Sequence, residues 1–431
     1  MKYVFINGII LDGTENMEPV AGKMILVNGS VIEDIRDQGA CEGYEVIDLQ
    51  GKYIMPGLIN MHVHLAGNGK PLKKARDNTR LVKLIFSNPI SADVAHKLVR
   101  DWAKLELLGG VTTIRTVGGL RNLDTQVRDE IKKGKFIGPR ILASNEGISV
   151  VGGHMAGSVA IEAHNNEEAF RHIDMLKENG ADFVKLMITG GVLDAKEKGV
   201  PGELKMAPEM VKAVCDYAHS KGFYVAAHVE SAQGVRVALE NGVDSIEHGA
   251  TPDEEIIRLF KEKKAFVTTT ISPALPTALF DPVISHANEV EQYNGTIVFD
   301  GIINCSKAAL ANGIPVALGN DVGCPWVTQY DFWREVFYFA KYVGVSNRFA
   351  LYTATLNNAR LAGVGDITGS IEKGKSADMI VTWVNPLENL TALRSLAMVM
   401  SQGKLINEPK VKHNAEVDRE LDKITGPATI R

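Results

Sequence analysis

The sequence of 431 residues predicts an α/β fold, in which a (β/α)8 barrel of the TIM type carries a small β domain formed by both ends of the chain. Two patterns support this prediction. Apolar, β-rich runs alternate with amphipathic stretches through the centre of the chain, which is typical of parallel strands joined by helices. Short strand-like runs occupy both ends, and the length accommodates a barrel with an accessory domain.

The small β domain is predicted to begin with residues 1–53, which contain the strand-like runs YVFING, MILVNGSVIEDI and YEVIDLQGKYIM. The second run includes Asn28-Gly29, a pair of residues that favours a hairpin. Similar runs return in GSIEKGKSADMIVTW and LAMVMSQGKLI, so residues 364–431 are assigned to the second part of this domain plus a C-terminal tail. A separate C-terminal domain is the alternative.

The barrel is assigned to residues 54–363, where eight candidate strands can be identified: IMPGLINMHVHL, VTTIRTVGG, RILASNEGIS, FVKLMITGG, YVAAHVES, SIEHGA, AFVTTTIS and IPVALGNDVG. Helical stretches such as NEEAFRHIDMLKENGA lie between them and end near a glycine. Roughly 300 residues for eight strand-helix units match a TIM-type barrel. An open doubly wound sheet is the competing architecture, but no GxGxxG motif follows the first strand.

Composition narrows the classes of partner. A formal net charge of -5 over 431 residues gives no reason to expect nucleic acid or an anionic membrane surface, so a small-molecule substrate is expected. The N-terminus lacks the features of a signal peptide, and no apolar run is long enough for a membrane span. The cysteines are scattered, without CxxC spacing, which fits a reducing, cytoplasmic location: Cys41, Cys215, Cys305 and Cys324.

Ionisable side chains lie near the carboxyl ends of five predicted strands, where barrel enzymes place their active sites. They are His62 and His64 on the first strand, Lys185 on the fourth, His228 on the fifth, His248 on the sixth and Asp321 on the eighth. Residues two apart in a strand point to the same side, so His62 and His64 would both face the barrel interior and could bind one ion.

Lys185 and Asp321 are the two charged members of this set. Lys185 lies inside the apolar run ADFVKLMITGG, where desolvation would lower its pKa towards a neutral amine. A neutral amine can react with carbon dioxide, and the resulting carbamate has two oxygens able to bridge two cations. A surface lysine at a strand end is the alternative. Asp321 follows the apolar run IPVALGN, where a buried carboxylate needs a cation or a hydrogen-bond donor.

Together these residues resemble the pattern of the amidohydrolase superfamily, and the match extends over essentially the whole chain, from KYIMPGLINMHVHL to SIEKGKSADMIV. The resemblance implies that His62, His64 and Asp321 bind one divalent metal ion. It further implies that His228 and His248 bind a second ion and that carboxylated Lys185 bridges the two. Zinc is expected for its abundance and affinity for imidazole. A homo-oligomer is expected from family habit alone.

Within the superfamily, the chain is similar to the prolidase-like and imidazolonepropionase-like branch. The supporting motif is SVVGGHMAG, in which His154 matches a loop histidine associated with substrate binding. Two positions depart from that branch: Thr116 stands where an aspartate is common, and Glu230 where a tyrosine is expected. Arg115 and Glu230 are therefore candidate substrate contacts, or a pair for each other.

The predicted function is hydrolysis of an amide C–N bond in a small substrate such as a dipeptide or an N-acyl amino acid. A water shared by two metal ions would be hydroxide at neutral pH, and Asp321 would transfer its proton to the departing amine. A cyclic amide or imidazolone hydrolase is one alternative, and a deaminase another, although deaminases typically have His and Glu three apart on strand five. A non-catalytic scaffold is less expected, because all six ligand positions are filled.

Overall fold

The computed structural model describes residues 1–72 and 77–426, so residues 427–431 of the predicted tail lie outside the described residues. The strands in these ranges are β1 (Lys2–Ile6), β2 (Ile9–Ile10), β3 (Lys23–Asn28), β4 (Val31–Asp37), β5 (Glu45–Asp48), β6 (Tyr53–Pro56), β7 (Leu58–Val63), β8 (Val111–Thr116), β9 (Arg140–Ala143), β10 (Gly147–Val150), β11 (Ala160–Ala163), β12 (Val184–Met187), β13 (Val225–Val229), β14 (Ser245–His248), β15 (Phe266–Thr269), β16 (Val316–Leu318), β17 (Met379–Thr382), β18 (Leu396–Ser401) and β19 (Lys404–Asn407).

The α-helices in the same ranges are α1 (Asn78–Ile85), α2 (Pro89–Leu108), α3 (Leu123–Lys132), α4 (Asn166–Glu178), α5 (Pro208–Ser220), α6 (Ala232–Glu240), α7 (Glu254–Lys263), α8 (Ile271–Leu279), α9 (Pro282–Ser285), α10 (Glu289–Ala311), α11 (Phe332–Tyr338), α12 (Asn347–Tyr352), α13 (Asn358–Leu361) and α14 (Ala415–Thr425). In these ranges, no helix combines the length and the apolar character needed to cross a bilayer.

Eight parallel strands surround the centre of the molecule, in the order β7, β8, β9, β12, β13, β14, β15 and β16. The strands β7, β8 and β9 pair in one sheet, and the strands from β12 to β16 pair in another. Two backbone hydrogen bonds connect the edges of these two sheets. Asp182 N–H donates to the Ala143 carbonyl at 2.8 Å, between β9 and β12, and Asp321 N–H donates to the His62 carbonyl at 2.9 Å, next to β16. The predicted α/β barrel fold is confirmed, and each of its strands arises from one of the eight apolar runs.

The third predicted strand differs in detail from the sequence-based expectation. The run RILASNEGIS is divided into β9 and β10, because Asn145 between them has a left-handed backbone with φ of 57°. After the break, β10 pairs in parallel with barrel strand β12 on one side, where Ile148 lies opposite Leu186, and with β11 on the other. The loop between β10 and β11 carries His154.

The two ends of the chain share one five-stranded sheet, in the order β19, β18, β17, β6 and β2. The central contact is the antiparallel pairing of β17 with β6, in which Ile380 lies opposite Met55. A second sheet of β4, β3, β1 and β5 completes the small β region. Both ends of the chain thus contribute to it, as the fold class required, while the exact boundaries at residues 53 and 363 stay predictions.

The predicted tail contains α14, which packs against the barrel. Its Val417 and Leu421 side chains are buried in the same apolar cluster as the barrel helices. On its other flank, the Asp422 carboxylate accepts hydrogen bonds of 2.7 Å from Arg334 and from Arg394. The helix is therefore held by both apolar contacts and ion pairs.

Candidate active site

Four histidines predicted as metal ligands meet at the carboxyl ends of the barrel strands. His62 lies on β7 with His64 just beyond its end, while His228 lies on β13 and His248 ends β14. Ring centroids are 5.3 Å apart for His62 and His64, 4.8 Å for His62 and His248, and 4.6 Å for His228 and His248. The imidazoles therefore form a continuous chain across the mouth of the barrel.

Asp321 joins this chain from the segment after β16. Its Oδ1 lies 3.2 Å from His64 Nε2 and 3.4 Å from His62 Nε2. Burial by itself would raise the pKa of this carboxyl group, but its interactions with the neighbouring His62 and His64 imidazoles outweigh burial and hold the pKa below its usual value. Asp321 is therefore an ionised oxygen donor directed at the histidine cluster.

Lys185 extends from β12 into the same interior. Its side chain is 1% exposed, and among the described residues its Nζ has no hydrogen-bond partner. Burial lowers the pKa of the amine to about 8, so a substantial fraction is neutral near physiological pH. A buried amine without a partner among the described residues is unusual, because polar groups in protein interiors are normally hydrogen-bonded.

Hydrogen bonds orient three of the imidazoles. The Nδ1 atoms lie 2.8 Å from Glu247 Oε2 for His62, 2.8 Å from the Gly118 carbonyl for His64, and 2.7 Å from Thr270 Oγ1 for His248. In each ring the other nitrogen, Nε2, is left available as a ligand.

The buried histidine rings also have the neutral protonation state that a metal ligand needs. Burial lowers the pKa of His62 and His228 well below the usual value, and that of His248 to about 4. These three rings are therefore neutral at pH 7, as metal binding requires.

This donor set fits divalent metal ions. Ligand atoms of His62, His248 and Asp321 lie within 4.8 Å of one another, and so do those of His228, Glu230 and His248. Imidazole nitrogens with carboxylate oxygens are the ligands that zinc and related ions take in proteins. The Glu230 carboxylate lies beside the His228 side of this cluster.

Arg115 has a different position from the one predicted. Its side chain is fully buried; Nη2 donates to Glu247 Oε1 at 2.5 Å, and Nε donates to the Met61 carbonyl at 2.7 Å. The suggested pairing of Arg115 with Glu230 is therefore wrong. Arg115 is also absent from the residues that line the cavity above the histidines, so it acts on His62 through Glu247.

Glu247 is the functional residue that sequence reasoning missed, although a signal was present. A carboxylate in the short apolar run SIEHGA is as unusual as the lysine in ADFVKLMITGG. Regular strand alternation would place Glu247 and His248 on opposite sides of β14. His248 instead has a left-handed backbone with φ of 71°, and both side chains contact the barrel interior.

Replacing Glu247 by glutamine is expected to weaken metal binding by about 10- to 100-fold, the usual effect of losing the partner of a ligating histidine. Glutamine is uncharged, so it cannot both balance the charge of Arg115 and orient His62 as Glu247 does. Competition with a chelator would measure the affinity, with circular dichroism to verify folding. Glu254→Gln, an exposed change on the following helix α7, is the matched control. Unchanged affinity in Glu247→Gln would show that the contact does not support the site.

His154 lies beside the cluster, on the loop after β10. Its ring stacks on His228 with centroids 4.0 Å apart and planes 9° apart. Its Nδ1 is 2.5 Å from Asp194 Oδ2, and Asp194 also accepts a hydrogen bond from Gly191 N–H at 2.9 Å. Asp194, which the sequence did not suggest, thus fixes the orientation of the His154 ring.

A cavity of about 280 Å³ opens above the histidine cluster. Its polar groups include His154, Glu230 and Asp321, and most of its wall is apolar, formed by Val192, Leu193, Ala274, Pro276, Val298, Ile302 and Trp326. Glu230 Oε2 accepts a hydrogen bond from Val192 N–H at 3.1 Å. Burial, reinforced by the charge of Asp321, raises the pKa of Glu230 to about 8. The cavity therefore combines imidazole and carboxyl side chains of the histidine cluster with a largely apolar wall.

Comparisons with known proteins agree with this geometry. The model of the Amidohydrolase family matches residues 53–406. A structure from Bifidobacterium longum, provisionally assigned as a prolidase, is 32% identical with a TM-score of 0.85 and 98% of each chain covered. A Xaa-Pro dipeptidase with methionine in its active site is 28% identical with a TM-score of 0.82, covering 94% of this chain and 100% of the other. The imidazolonepropionase of Symbiobacterium thermophilum is 23% identical over 85% of this chain and 84% of its own length.

Proposed function

Because the chain belongs to the amidohydrolase family, we propose that it hydrolyses an amide C–N bond of a small substrate with the help of two divalent metal ions, most simply zinc. One observation carries the proposal. The buried Lys185 amine has no hydrogen-bond partner among the described residues and shares the barrel interior with four neighbouring histidines and Asp321. Carboxylation of Lys185 would convert this amine into the bridging ligand that two ions require.

The proposed ligands divide between two ions. His62, His64 and Asp321 would hold one ion, which agrees with the short distances between Asp321 Oδ1 and the two Nε2 atoms. His228 and His248 would hold the other, and carboxylated Lys185 would contribute one oxygen to each. Such ions would supply an acidified water as nucleophile and a positive charge that polarises the scissile carbonyl.

The protein side chains would handle the protons. Asp321 is ionised and close to the histidine cluster, so it would accept a proton from the attacking water and deliver it to the departing amine. His154, kept in place by Asp194, would donate a hydrogen bond to the carbonyl oxygen as negative charge develops there. No side chain is needed as a nucleophile.

The substrate would be small, with an apolar part. The cavity is about 280 Å³ with a largely apolar wall, which suits a dipeptide or an N-acyl amino acid. The similar Xaa-Pro dipeptidase holds methionine, an apolar amino acid, in its active site. A cytoplasmic location and assembly into a homo-oligomer stay predictions.

A cyclic amide or imidazolone hydrolase is the second candidate. The imidazolonepropionase relatives support it, because they align with most of the chain. Deamination has less support, since His228 and Glu230 are two residues apart rather than three.

The test is a hydrolysis screen of dipeptides and N-acyl amino acids with metal-replete protein, together with elemental analysis. Release of free amino acid by protein that holds close to two metal ions per chain is expected. Release of ammonia from a cyclic amidine would favour a deaminase instead. Absence of both bound metal and turnover would favour a non-catalytic scaffold and contradict the proposal.

A further inference from the structure

We propose that Glu230 selects substrates whose acyl part carries a protonated amine next to the scissile carbonyl, together with an apolar side chain. The inference rests on the proposed function, because it concerns the same cavity. It favours unblocked aminoacyl amides over N-acyl amino acids, two classes that the family assignment alone does not separate.

The position of Glu230 sets the location of this amine. Glu230 directly follows β13, and a carboxylate oxygen lies within 4.8 Å of ligand nitrogens of His228 and His248. The α-amine of an aminoacyl group is two bonds from its carbonyl carbon, a distance of about 2.5 Å. A carbonyl placed at the histidine cluster would therefore bring its α-amine next to Glu230. A lysine side-chain amine is four carbons further away and would extend beyond it.

The hydrogen bonding of Glu230 leaves room for a substrate donor. Its Oε2 accepts a hydrogen bond from Val192 N–H at 3.1 Å, which is the one hydrogen bond that the Glu230 carboxyl group forms with a described residue. A carboxylate in an apolar cavity is costly unless it is paired. A protonated amine placed there would balance the charge of the ionised Glu230 carboxylate and would supply up to three hydrogen bonds.

The charges around the cavity point to the same class of ligand. Its described lining residues include the carboxylates of Glu230, Glu291 and Asp321, and none of the lining residues is a lysine or an arginine. An N-acyl amino acid brings a carboxylate and no free amine, so this cavity offers it little electrostatic complementarity. The apolar wall, to which α8 contributes Ala274 and α10 contributes Val298 and Ile302, suits the substrate side chain.

Two ligands that differ only at the amine test the proposal: L-leucine hydroxamate and N-acetyl-L-leucine hydroxamate. Both carry the same metal-binding group and the same side chain. Calorimetric titration of the metal-loaded full chain is expected to give about tenfold or tighter binding of the free amine, since hydrogen bonds to charged groups have effects of this size. In Glu230→Gln, which can still accept from Val192, the two affinities should become nearly equal, with metal content unchanged.

Glu291→Gln is the matched control, because it removes a second glutamate of the cavity lining and leaves Asp321 in place. That variant should keep the preference for the free amine. Equal affinities in the unaltered protein, or an undiminished preference in Glu230→Gln, would overturn the proposal. Loss of a metal ion from Glu230→Gln would also overturn it, by making Glu230 a metal ligand. Failure of either hydroxamate to bind the metal-loaded chain would contradict the proposed hydrolase itself.

Discussion

Replacing Asp321 by asparagine is expected to lower kcat by about 10²- to 10⁴-fold, the range that a positioned general acid or base contributes. Asparagine keeps an oxygen at nearly the same place, so most of the metal should remain bound. It cannot accept a proton, however, and the surrounding imidazoles hold the pKa of the natural carboxyl group low so that it is ionised at neutral pH. Steady-state kinetics with parallel elemental analysis would measure both quantities.

Asp300→Asn provides a matched control for this experiment, because Asp300 is an exposed aspartate on α10. The control should retain both metal and turnover. Near-normal activity of metal-replete Asp321→Asn would refute the proton-transfer role. Loss of metal from that variant would instead restrict Asp321 to ligation.

Replacing Lys185 by alanine is expected to remove paired metal binding and to reduce activity. The reduction should exceed the roughly 10- to 100-fold loss that follows removal of a residue hydrogen-bonded to a metal ligand. The reason is that the carbamate on Lys185 is the ligand proposed to be shared by the two ions. Added acetate or propionate should restore part of the activity and metal content, since a short carboxylate can occupy the space left by the carbamate. Two metal ions per chain in untreated Lys185→Ala would count against carboxylation.

The pH dependence of metal loading offers an independent check on Lys185. Carbamate formation requires the neutral amine, and burial lowers the pKa of Lys185 to about 8. At a fixed concentration of dissolved carbon dioxide, metal uptake by the metal-free protein should therefore increase as pH rises through about 8 and level off above it. Uptake that is independent of carbon dioxide would contradict the bridging carbamate.

The barrel was predictable because its strands are buried and strongly apolar, and every one of the eight runs contains a barrel strand. The residues that meet at the mouth of the barrel were predictable as candidate ligands, because charged or imidazole side chains at the ends of apolar strands are costly without a function. Local backbone geometry was harder to predict. Asn145 has a left-handed backbone and interrupts the third predicted strand. His248 also has a left-handed backbone, and it interrupts the regular alternation of side chains along β14. Neither residue type demands this conformation.

Contacts between distant segments were the least predictable part of the site. Asp194 is 40 residues from His154 in the chain, and Glu247 is 185 residues from His62, yet each forms a direct hydrogen bond with its histidine. The same limitation led the sequence to offer Glu230 as a partner for Arg115, when the barrel interior pairs Arg115 with Glu247.

Hydrophobic periodicity and charged residues within apolar runs are local properties of the chain, so the fold class and the residue types at the mouth of the barrel could be predicted from the sequence. Contacts between distant segments establish which groups orient the histidines and which carboxylates line the cavity. Those choices depend on distances of a few ångströms between side chains on different strands, and such distances are set when the barrel closes and packs.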